Sequence, residues 1–402
     1  MFIEGKEMNI IIIHYSEIGT KGENRPFFER ILANNVRVLL NRYIHNVSRK
    51  YGRIVCKIKN EDYLDKIIEK LKKVPGIAYF SPAIKSELNI EQIKESLLNI
   101  LQNKKFNTFK VITKRSNKMF PMTSIEVNKI LGEYIVNSLN KKVNLISPDI
   151  KLYVEICEKE AYIYLEKFSG LGGLPVSSSG KVISLLSGGI DSPVASFLMM
   201  KRGCQVIFTH FYNRTLTSQA ALTKIDKIVR QLTEFQIQSK LYIVPFQDVQ
   251  YEIIANIPSN YRMIVYRRFM MRIANKIADL ENAKAIVTGD SVGQVASQTL
   301  ENLGCIYQAA KYPVLSPLVG LNKNEIIQLA KNIGTYDYSI LPYPDCCSFM
   351  VAKHPETSAK LEKILKLEEN LDVEQIINKC LQKIKSKLFK INNEKEDVHG
   401  VS

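Results

Sequence analysis

The segment Ser187–Ser192, with the sequence SGGIDS, has residue types suited to holding a chain of phosphates. It directly follows the apolar run Val182–Leu186, which predicts a buried strand, and it precedes Pro193, a residue type that often opens a helix. The two glycines allow a tight turn with close backbone approach, and the two serines supply hydroxyls. With the free amides and dipole of a helix N-terminus, they predict an anion site of pyrophosphate size.

Asp191 is an unusual residue for an anion site, because its carboxylate would repel phosphate. A bound Mg²⁺ would reverse the sign of the local field, so we expect Asp191 to be a metal ligand and to contribute to catalysis. A chance glycine turn is the alternative, and the strand–turn–helix context weighs against it. Two other glycine-rich segments, 170–175 and 177–182, fail as phosphate motifs because Pro175 replaces a required glycine in both.

The residues from Lys181 onward alternate between predicted strands and helices. Four apolar runs, VISLL, QVIFTHF, KLYIVPF and KAIVTGD, predict the strands. This order is typical of a doubly wound parallel sheet covered by helices, which binds ligands at the carboxyl ends of its strands. The tail from His354 has mixed charge, and we expect it to be solvated helix with a frayed end.

Two further units are predicted before the segment 169–181, which is rich in Gly and Ser. Residues 1–76 have the predicted order β-α-β-β-α-β, the ferredoxin-like motif. Residues 77–172 are predicted to form a second α+β unit, with a strand over 109–115 and a hairpin around Glu158–Glu160. Residues 173–402 then form the α/β domain, so the sequence predicts three domains.

Charge and cysteine content restrict the class of protein. The formal net charge is +16, and the basic excess is densest over 101–150, which suggests a polyanionic partner held mainly by the N-terminal half. A lysine-rich genome composition is the alternative explanation. We expect phosphate contacts from four residues of this stretch, Lys110, Lys114, Arg115 and Lys118. Seven cysteines without a CxxC pair argue against a disulfide framework or a zinc ribbon, and no apolar run is long enough for a membrane helix, so a reducing cytoplasm is the expected location.

Several separated motifs carry a resemblance to known families. SGGIDS resembles the fingerprint of the PP-loop ATP pyrophosphatases, and FKVITKRSNKMFPMTS with PDIKLYVEI resembles a THUMP domain, a tRNA-binding module. HYSEIGTKGENRPFFER, TGDSVGQVASQT and LPYPDCC complete an ordered set from residue 8 to about 355. The assembly resembles the family of tRNA uridine 4-sulfurtransferases.

This resemblance implies a reaction. ATP would adenylate O4 of a tRNA uridine, uridine-8, and sulfur carried as a persulfide on Cys346 would then replace the adenylate to give 4-thiouridine. A cysteine desulfurase would supply the sulfur, Lys323 would be a catalytic lysine, and a sulfur-carrier protein of thiamine biosynthesis is a second expected partner. A homodimer is the expected assembly. The expected ATP-binding residues, from the loop and the resemblance together, are Leu185, Leu186, Ser187, Gly188, Gly189, Asp191, Ser192, His210, Phe211, Arg267, Gly289 and Gln298.

Longer members of the family carry a C-terminal rhodanese domain with a second cysteine, and this chain is expected to lack one. Cys347, Cys380 or an outside thiol would then resolve the persulfide. A PP-loop amidotransferase or synthetase acting on a small molecule is an alternative function, and an RNA-binding scaffold with a relic nucleotide site is another. At the level of single residues, His210 could be an ordinary strand-end histidine, and Arg267 and Arg268 could form a solvated helix face.

Overall fold

A computed structural model describes residues 9–213, 219–342, 352–391 and 397–400. The chain divides into two compact units, one ending at Pro175 and one beginning at Val176. Within the described ranges, no helix has the length and apolar character needed to cross a membrane.

The first unit combines nine strands with four α-helices in its described part. The strands are Ile10–His14 (β1), Ile44–Lys50 (β2), Arg53–Ile58 (β3), Tyr79–Glu87 (β4), Thr108–Arg115 (β5), Lys142–Val143 (β6), Ile150–Ile156 (β7), Glu160–Tyr164 (β8) and Phe168–Ser169 (β9). The helices are Arg25–Leu40 (α1), Leu64–Leu71 (α2), Ile90–Leu101 (α3) and Ser124–Leu139 (α4). The ferredoxin-like order and the β7–β8 hairpin are confirmed.

One nine-stranded sheet contains all of these strands, in the order β2-β3-β1-β4-β8-β7-β5-β6 with β9 paired to β4. β4 belongs to both halves of the sheet. Its first part, Tyr79–Ala83, pairs with β1, and its second part, Ile84–Glu87, pairs with β8. The predicted boundary between residues 76 and 77 falls just before this shared strand. The ferredoxin-like and THUMP-like parts therefore share one continuous sheet.

The sheet is strongly curved. Lys50 on β2 lies 2.9 Å from Glu160 on β8, although three strands separate them in the sheet order. In a flat sheet, four strand spacings would place them roughly 19 Å apart. Arg53 on β3 likewise reaches Glu155 on β7. These ion pairs close the concave side of the sheet.

The second unit has a parallel sheet with helices between its strands. Its described strands are Lys181–Leu185 (β10), Gln205–Tyr212 (β11), Gln238–Pro245 (β12), Ala285–Val287 (β13), Val314–Leu315 (β14), Lys385–Lys390 (β15) and Asp397–Gly400 (β16). Its described helices are Asp191–Lys201 (α5), Gln219–Thr233 (α6), Gln247–Asn256 (α7), Arg262–Glu281 (α8), Leu300–Tyr307 (α9), Lys323–Asn332 (α10), Tyr336–Ser339 (α11), Leu361–Glu368 (α12) and Val373–Leu381 (α13).

The strand order is β14-β13-β10-β11-β12-β15-β16, and the first five strands are parallel, as the sequence predicts. The tail contains two helices, α12 and α13, as expected, but the expectation that it is solvated was wrong. β15 pairs antiparallel with β12, and apolar tail residues such as Ile364 and Phe389 are buried. Glu368 is buried as well, because it is paired with Arg268 and Arg272. The mixed charges of the tail concealed these internal ion pairs and a short alternating strand.

Candidate active site

A cavity of about 440 Å³ lies in the second unit. Its walls include the ends of β10 and β11, the segments after β10 and β13, and one side of α8. This is the edge at which open α/β sheets bind ligands. Of the twelve residues predicted to bind nucleotide, all but Gly188 and Gly189 line it. The ten are Leu185, Leu186, Ser187, Asp191, Ser192, His210, Phe211, Arg267, Gly289 and Gln298.

The SGGIDS loop is held in shape by its own serines. Ser187 N donates to Ser192 Oγ at 2.8 Å, and the two hydroxyls lie 3.0 Å apart. Ser192 is in turn linked to Ser196, whose Oγ donates to Ser192 O at 2.8 Å. Ile190, the N-cap residue of α5, makes no side-chain capping bond, so no side chain at that position satisfies the amides of the first helical turn. The loop is thus a rigid turn with amide donors at its helical end.

Gly289 shows why a glycine follows β13. A Cβ at this position would lie 2.7 Å from Ser192 N and 2.9 Å from Ser192 Cα. Since both are backbone atoms, no side chain can move aside to make room. The segment after β13 therefore approaches the start of α5 closely only because residue 289 has no side chain.

Asp191 and Lys323 are brought together from distant parts of the sequence. Lys323 Nζ lies 2.6 Å from Asp191 Oδ1, and Gln294 Nε2 donates to Asp191 Oδ2 at 3.0 Å. A capping box between Asn322 and Glu325 fixes the start of α10, where Lys323 lies. Sequence reasoning did not select Gln294, although it lies inside the TGDSVGQVASQT motif.

The donors around Asp191 limit what metal the site could hold. Among the described residues, no group of three His, Cys, Asp or Glu side chains could together bind an ion. Asp191 offers one carboxylate, with its side chain 21% exposed beside the phosphate loop. This set fits a Mg²⁺ that takes most of its ligands from phosphate oxygens and water, and it does not fit an all-protein metal cage.

Arg267 is not part of a solvated helix face. Its Nη2 donates to both carboxylate oxygens of Asp290, at 2.8 and 2.6 Å. Burial alone would raise the pKa of the Asp290 carboxyl, but the charge of Arg267 and hydrogen bonds from Tyr307 and Arg267 outweigh burial and hold it below its usual value. Arg267 is half-buried, and the neighbouring Arg268 is buried, at 1% exposure, against Glu368. The solvated alternative is therefore wrong for both arginines.

His210 lies in the cavity wall near the end of β11. Its Nδ1 donates to Leu186 O at 2.8 Å, and the residue is 2% exposed. This bond fixes the imidazole against the strand that leads into the phosphate loop.

The segment after residue 351 forms a further wall that sequence reasoning missed. Ala352, Pro355 and Glu356 line the cavity. Asn302, which is fully buried, donates to Ala296 O and to Glu356 O at 2.8 Å each. These bonds tie the tail to the turn that precedes α9. Pattern reasoning offered no signal for this wall, because it depends on a contact between segments more than 50 residues apart.

The predicted RNA-binding residues belong to the first unit. Lys114 and Lys118 are exposed, whereas Lys110 Nζ donates to Leu145 O at 2.9 Å. Arg115 Nη1 donates to Phe120 O and Met122 O, so its guanidinium holds the loop after β5. The phenylalanines of this stretch, Phe106, Phe109 and Phe120, are buried in the core.

Cys346 and Cys347 lie outside the described residues. The five described cysteines, Cys56, Cys157, Cys204, Cys305 and Cys380, are all buried. Burial raises the pKa of each of these thiols. For Cys380 it reaches about 12, and the Sγ donates to Pro245 O. Cys380 is therefore unsuited to resolve a persulfide.

An SGGIDS turn between a strand and a helix, opening on a cavity at the carboxyl edge of a parallel sheet, defines a nucleotide-binding domain of the PP-loop class. Family models match three parts of the chain: "Thiamine biosynthesis protein (ThiI)" over residues 177–373, "ThiI ferredoxin-like domain" over 10–81 and "THUMP domain" over 87–166. The chain belongs to the ThiI family of tRNA sulfurtransferases, which are enzymes.

Individual relatives span nearly the whole chain. A probable tRNA sulfurtransferase of Caldanaerobacter subterraneus subsp. tengcongensis is 41% identical over 92% of this chain and 97% of its own length. One of Brevibacillus brevis is 42% identical, covering 92% of this chain and 93% of the relative. Among solved structures, a 4-thiouridine synthetase in complex with RNA and bound ATP superimposes with a TM-score of 0.86 at 37% identity, covering 96% of this chain and 100% of the other.

Proposed function

We propose that this chain uses ATP to transfer sulfur to uridine-8 of tRNA and so forms 4-thiouridine. The observation that carries the proposal is the cavity at the SGGIDS loop, with Lys323 paired to Asp191 beside it. Its support is the similarity along almost the whole chain to a 4-thiouridine synthetase whose structure contains RNA and ATP.

ATP would bind with its phosphates at the loop and its nucleoside against the other walls. Ser187, Ser192 and the first amides of α5 supply donors for the phosphates. Leu186, Phe211 and Met270 offer apolar surface for a base. Asp191 would hold a Mg²⁺, which would neutralise charge on the phosphates when bound.

In the proposed first step, O4 of the uridine attacks the α-phosphorus, and the bond to the pyrophosphate leaving group breaks. Lys323 would offset the negative charge that accumulates on the phosphates. Asp191 holds the Lys323 ammonium at 2.6 Å, which keeps it beside the residue that follows the glycine turn. The amides of α5 would stay with the leaving pyrophosphate.

In the second step, the outer sulfur of a persulfide on Cys346 attacks C4 of the adenylated uridine and AMP leaves, which joins the uridine to Cys346 through a disulfide. A second thiol, Cys347 or an outside thiol, would then attack the Cys346 sulfur, so that the S–S bond breaks, 4-thiouridine is released and a new disulfide forms. The five described cysteines favour this assignment indirectly, because their burial makes each a poor nucleophile. A cysteine desulfurase would load the persulfide. The family model named for thiamine biosynthesis also supports sulfur delivery to a carrier protein of that pathway as a second role.

The tRNA would contact the face of the curved sheet that the helices leave open. Phe109 and Val111 of β5 pack into the helix-side core, so the alternation of a strand places Lys114 on the other face. Lys167, whose Nζ lies 4.0 Å from the Tyr153 ring centroid, belongs to the same surface. Burial and, to a smaller degree, the charge of Lys114 lower the pKa of Lys167, and they outweigh the opposing charge of Glu155.

The decisive experiment incubates the purified chain with ATP, unmodified tRNA, cysteine and a cysteine desulfurase, and analyses the tRNA nucleosides by mass spectrometry. We expect 4-thiouridine at position 8 together with AMP and pyrophosphate. AMP formation without tRNA but with a small acceptor would favour a small-molecule synthetase instead. No ATP turnover under any condition would favour an RNA-binding scaffold.

The sulfur route is tested in the same assay by Cys346→Ala, with Cys347→Ala as its matched control. We expect the first variant to form AMP without thiouridine and the second to keep some thiolation. Persulfide mapping that finds the label on Cys347 alone would overturn the assignment.

A further inference from the structure

Asp290 joins two side chains that come from different walls of the cavity. Arg267 reaches it from α8 with Nη2 donating to both oxygens, at 2.8 and 2.6 Å. Gln298 reaches it from the turn before α9, with Nε2 donating to Oδ1 at 3.0 Å. Asp290 itself is 4% exposed, so these bonds form away from bulk water.

A second set of bonds holds Asp290 from behind. Tyr307 OH donates to Asp290 Oδ2 at 2.6 Å, and the same hydroxyl lies 2.9 Å from Ser316 Oγ. Thr288 Oγ1 lies 3.0 Å from Ser316 Oγ, which closes a small network of hydroxyls. The carboxylate is therefore anchored on one side and directs Arg267 and Gln298 on the other.

The chemistry of the carboxylate matters to this arrangement. An ionised carboxylate only accepts hydrogen bonds, and each of its partners here donates. A neutral amide of the same shape would turn an NH₂ group toward donors and lose the ion pair with Arg267. The guanidinium would keep only the bond from its Nη1 to Ser297 O, at 3.3 Å, and could more easily take other rotamers of its long side chain.

We propose that Asp290 is a positioning residue for the nucleoside part of ATP, acting through Arg267 and Gln298. This inference rests on the proposed ATP site. Asp290 fixes both side chains before the nucleotide arrives, so binding does not have to order them. A purely structural ion pair between α8 and the segment after β13 is the competing explanation. The two explanations differ in their predictions, because only a positioning role makes the loss of Asp290 weaken the binding of AMP and ATP and not that of pyrophosphate.

The test measures binding of AMP, ATP and inorganic pyrophosphate to the full chain by isothermal titration calorimetry, without tRNA. We expect Asp290→Asn to weaken the binding of AMP and of ATP about tenfold or more, where tenfold corresponds to about 1.4 kcal/mol. Pyrophosphate should bind as in wild type, because it would use only the phosphate loop. In AMP formation with tRNA, KM for ATP should rise while kcat stays within about threefold.

Two further variants control the result. Asp279→Asn makes the same Asp-to-Asn change at a carboxylate on α8 that accepts hydrogen bonds from Lys311 and Tyr312. It should leave nucleotide affinity unchanged. Asp290→Glu keeps an acceptor-only group and should recover most of the affinity. Should Asp290→Asn fail to fold, Tyr307→Phe removes one anchoring donor instead. We expect it to weaken AMP binding about threefold and to leave pyrophosphate binding unchanged.

Equal AMP affinity in wild type and folded Asp290→Asn overturns the inference alone. Equal loss of affinity for AMP and pyrophosphate also overturns it, because that result means a collapsed site. Should Tyr307→Phe be the variant used, unchanged AMP affinity overturns the inference. A wild-type chain that binds neither AMP nor ATP refutes the proposed function, and the inference with it.

Discussion

Lys323 Nζ lies 2.6 Å from Asp191 Oδ1, so the first residue of α10 is paired with the first residue of α5. A lysine at a helix N-terminus is unfavourable to the helix dipole. The pair offsets that cost and keeps a cation beside the phosphate loop. A locally unfavourable residue that the tertiary structure pairs with a cavity-lining carboxylate is a candidate for a functional role.

The first prediction concerns this lysine. Lys323→Met should reduce AMP formation about 10²- to 10³-fold, the loss typical when one preorganised group that stabilises developing charge is removed. The measurement is AMP release with saturating ATP and tRNA. Lys331→Met, an exposed lysine near the other end of α10, is the matched control and should retain full rate. A Lys323→Met enzyme as fast as wild type would remove the lysine from the mechanism.

The second prediction concerns the close approach at Gly289. Gly289→Ala places a Cβ 2.7 Å from Ser192 N, so backbone must move at the start of α5. Such overpacking costs about 1–3 kcal/mol, and it should also weaken ATP binding. Thermal unfolding and ATP titration measure the two effects. Gly304→Ala on α9, where a Cβ meets nothing within 4 Å, should be neutral or stabilise by up to about 1 kcal/mol. Similar behaviour of the two variants would contradict the steric argument.

The third prediction separates two basic neighbours on β5. Lys114→Gln should lower the salt dependence of tRNA binding by roughly one unit, the change expected for one lost phosphate contact. Arg115→Gln should instead reduce stability, because it breaks bonds to the carbonyls of Phe120 and Met122. Filter binding over a salt series and thermal unfolding distinguish the effects.

Lys66→Gln, an exposed lysine on α2, is the control for the salt series and should change neither property. An unchanged slope for Lys114→Gln would place the RNA elsewhere on the molecule.

The fourth prediction concerns acid stability of the curved sheet. Burial would raise the pKa of Glu160, but hydrogen bonds from Lys85, Tyr162 and Lys50 outweigh it and lower the pKa from 4.5 to about 2. A carboxyl with a depressed pKa in the folded state stabilises above its unfolded pKa, and that stability is lost as pH falls toward the folded value.

Glu160→Gln should therefore be less stable than wild type at pH 7, and the difference should shrink between about pH 4.5 and pH 2. Urea unfolding over this range measures it. The exposed neighbour Glu158 supplies the control, and Glu158→Gln should track wild type throughout. If the difference in the free energy of unfolding does not change with pH, the ion pairs of Glu160 are not its source.

The phosphate loop and the parallel strands could be predicted because their signals are local. A strand, two glycines and a helix start lie within about a dozen residues, and hydrophobic periodicity identifies β10 to β12 directly. Asp290 could not be selected in this way. It lies in the TGDSVGQVASQT motif, but its role depends on Arg267, Gln298 and Tyr307, which reach it from other elements.

The solvent exposure of the tail was predicted wrongly for a related reason. Its charged residues suggested solvent, yet Glu368 is buried because Arg268 and Arg272 lie opposite it. A sequence pattern records the charge of each residue and not its distant partner. Arg115 shows the same limit, since the sequence gives no sign that its guanidinium donates to the carbonyls of Phe120 and Met122.

β4 is one continuous strand whose first half pairs with β1 and whose second half pairs with β8. Protein fragments cut at the family-model limits would end at residue 81 or begin at residue 87. Either cut divides this strand and leaves an unpaired hydrogen-bonding edge, a template for aggregation. A deletion of one residue within Tyr79–Glu87 would invert the side chains of everything that follows it in the strand. The recombinant piece that can be expected to remain soluble therefore retains the whole nine-stranded sheet.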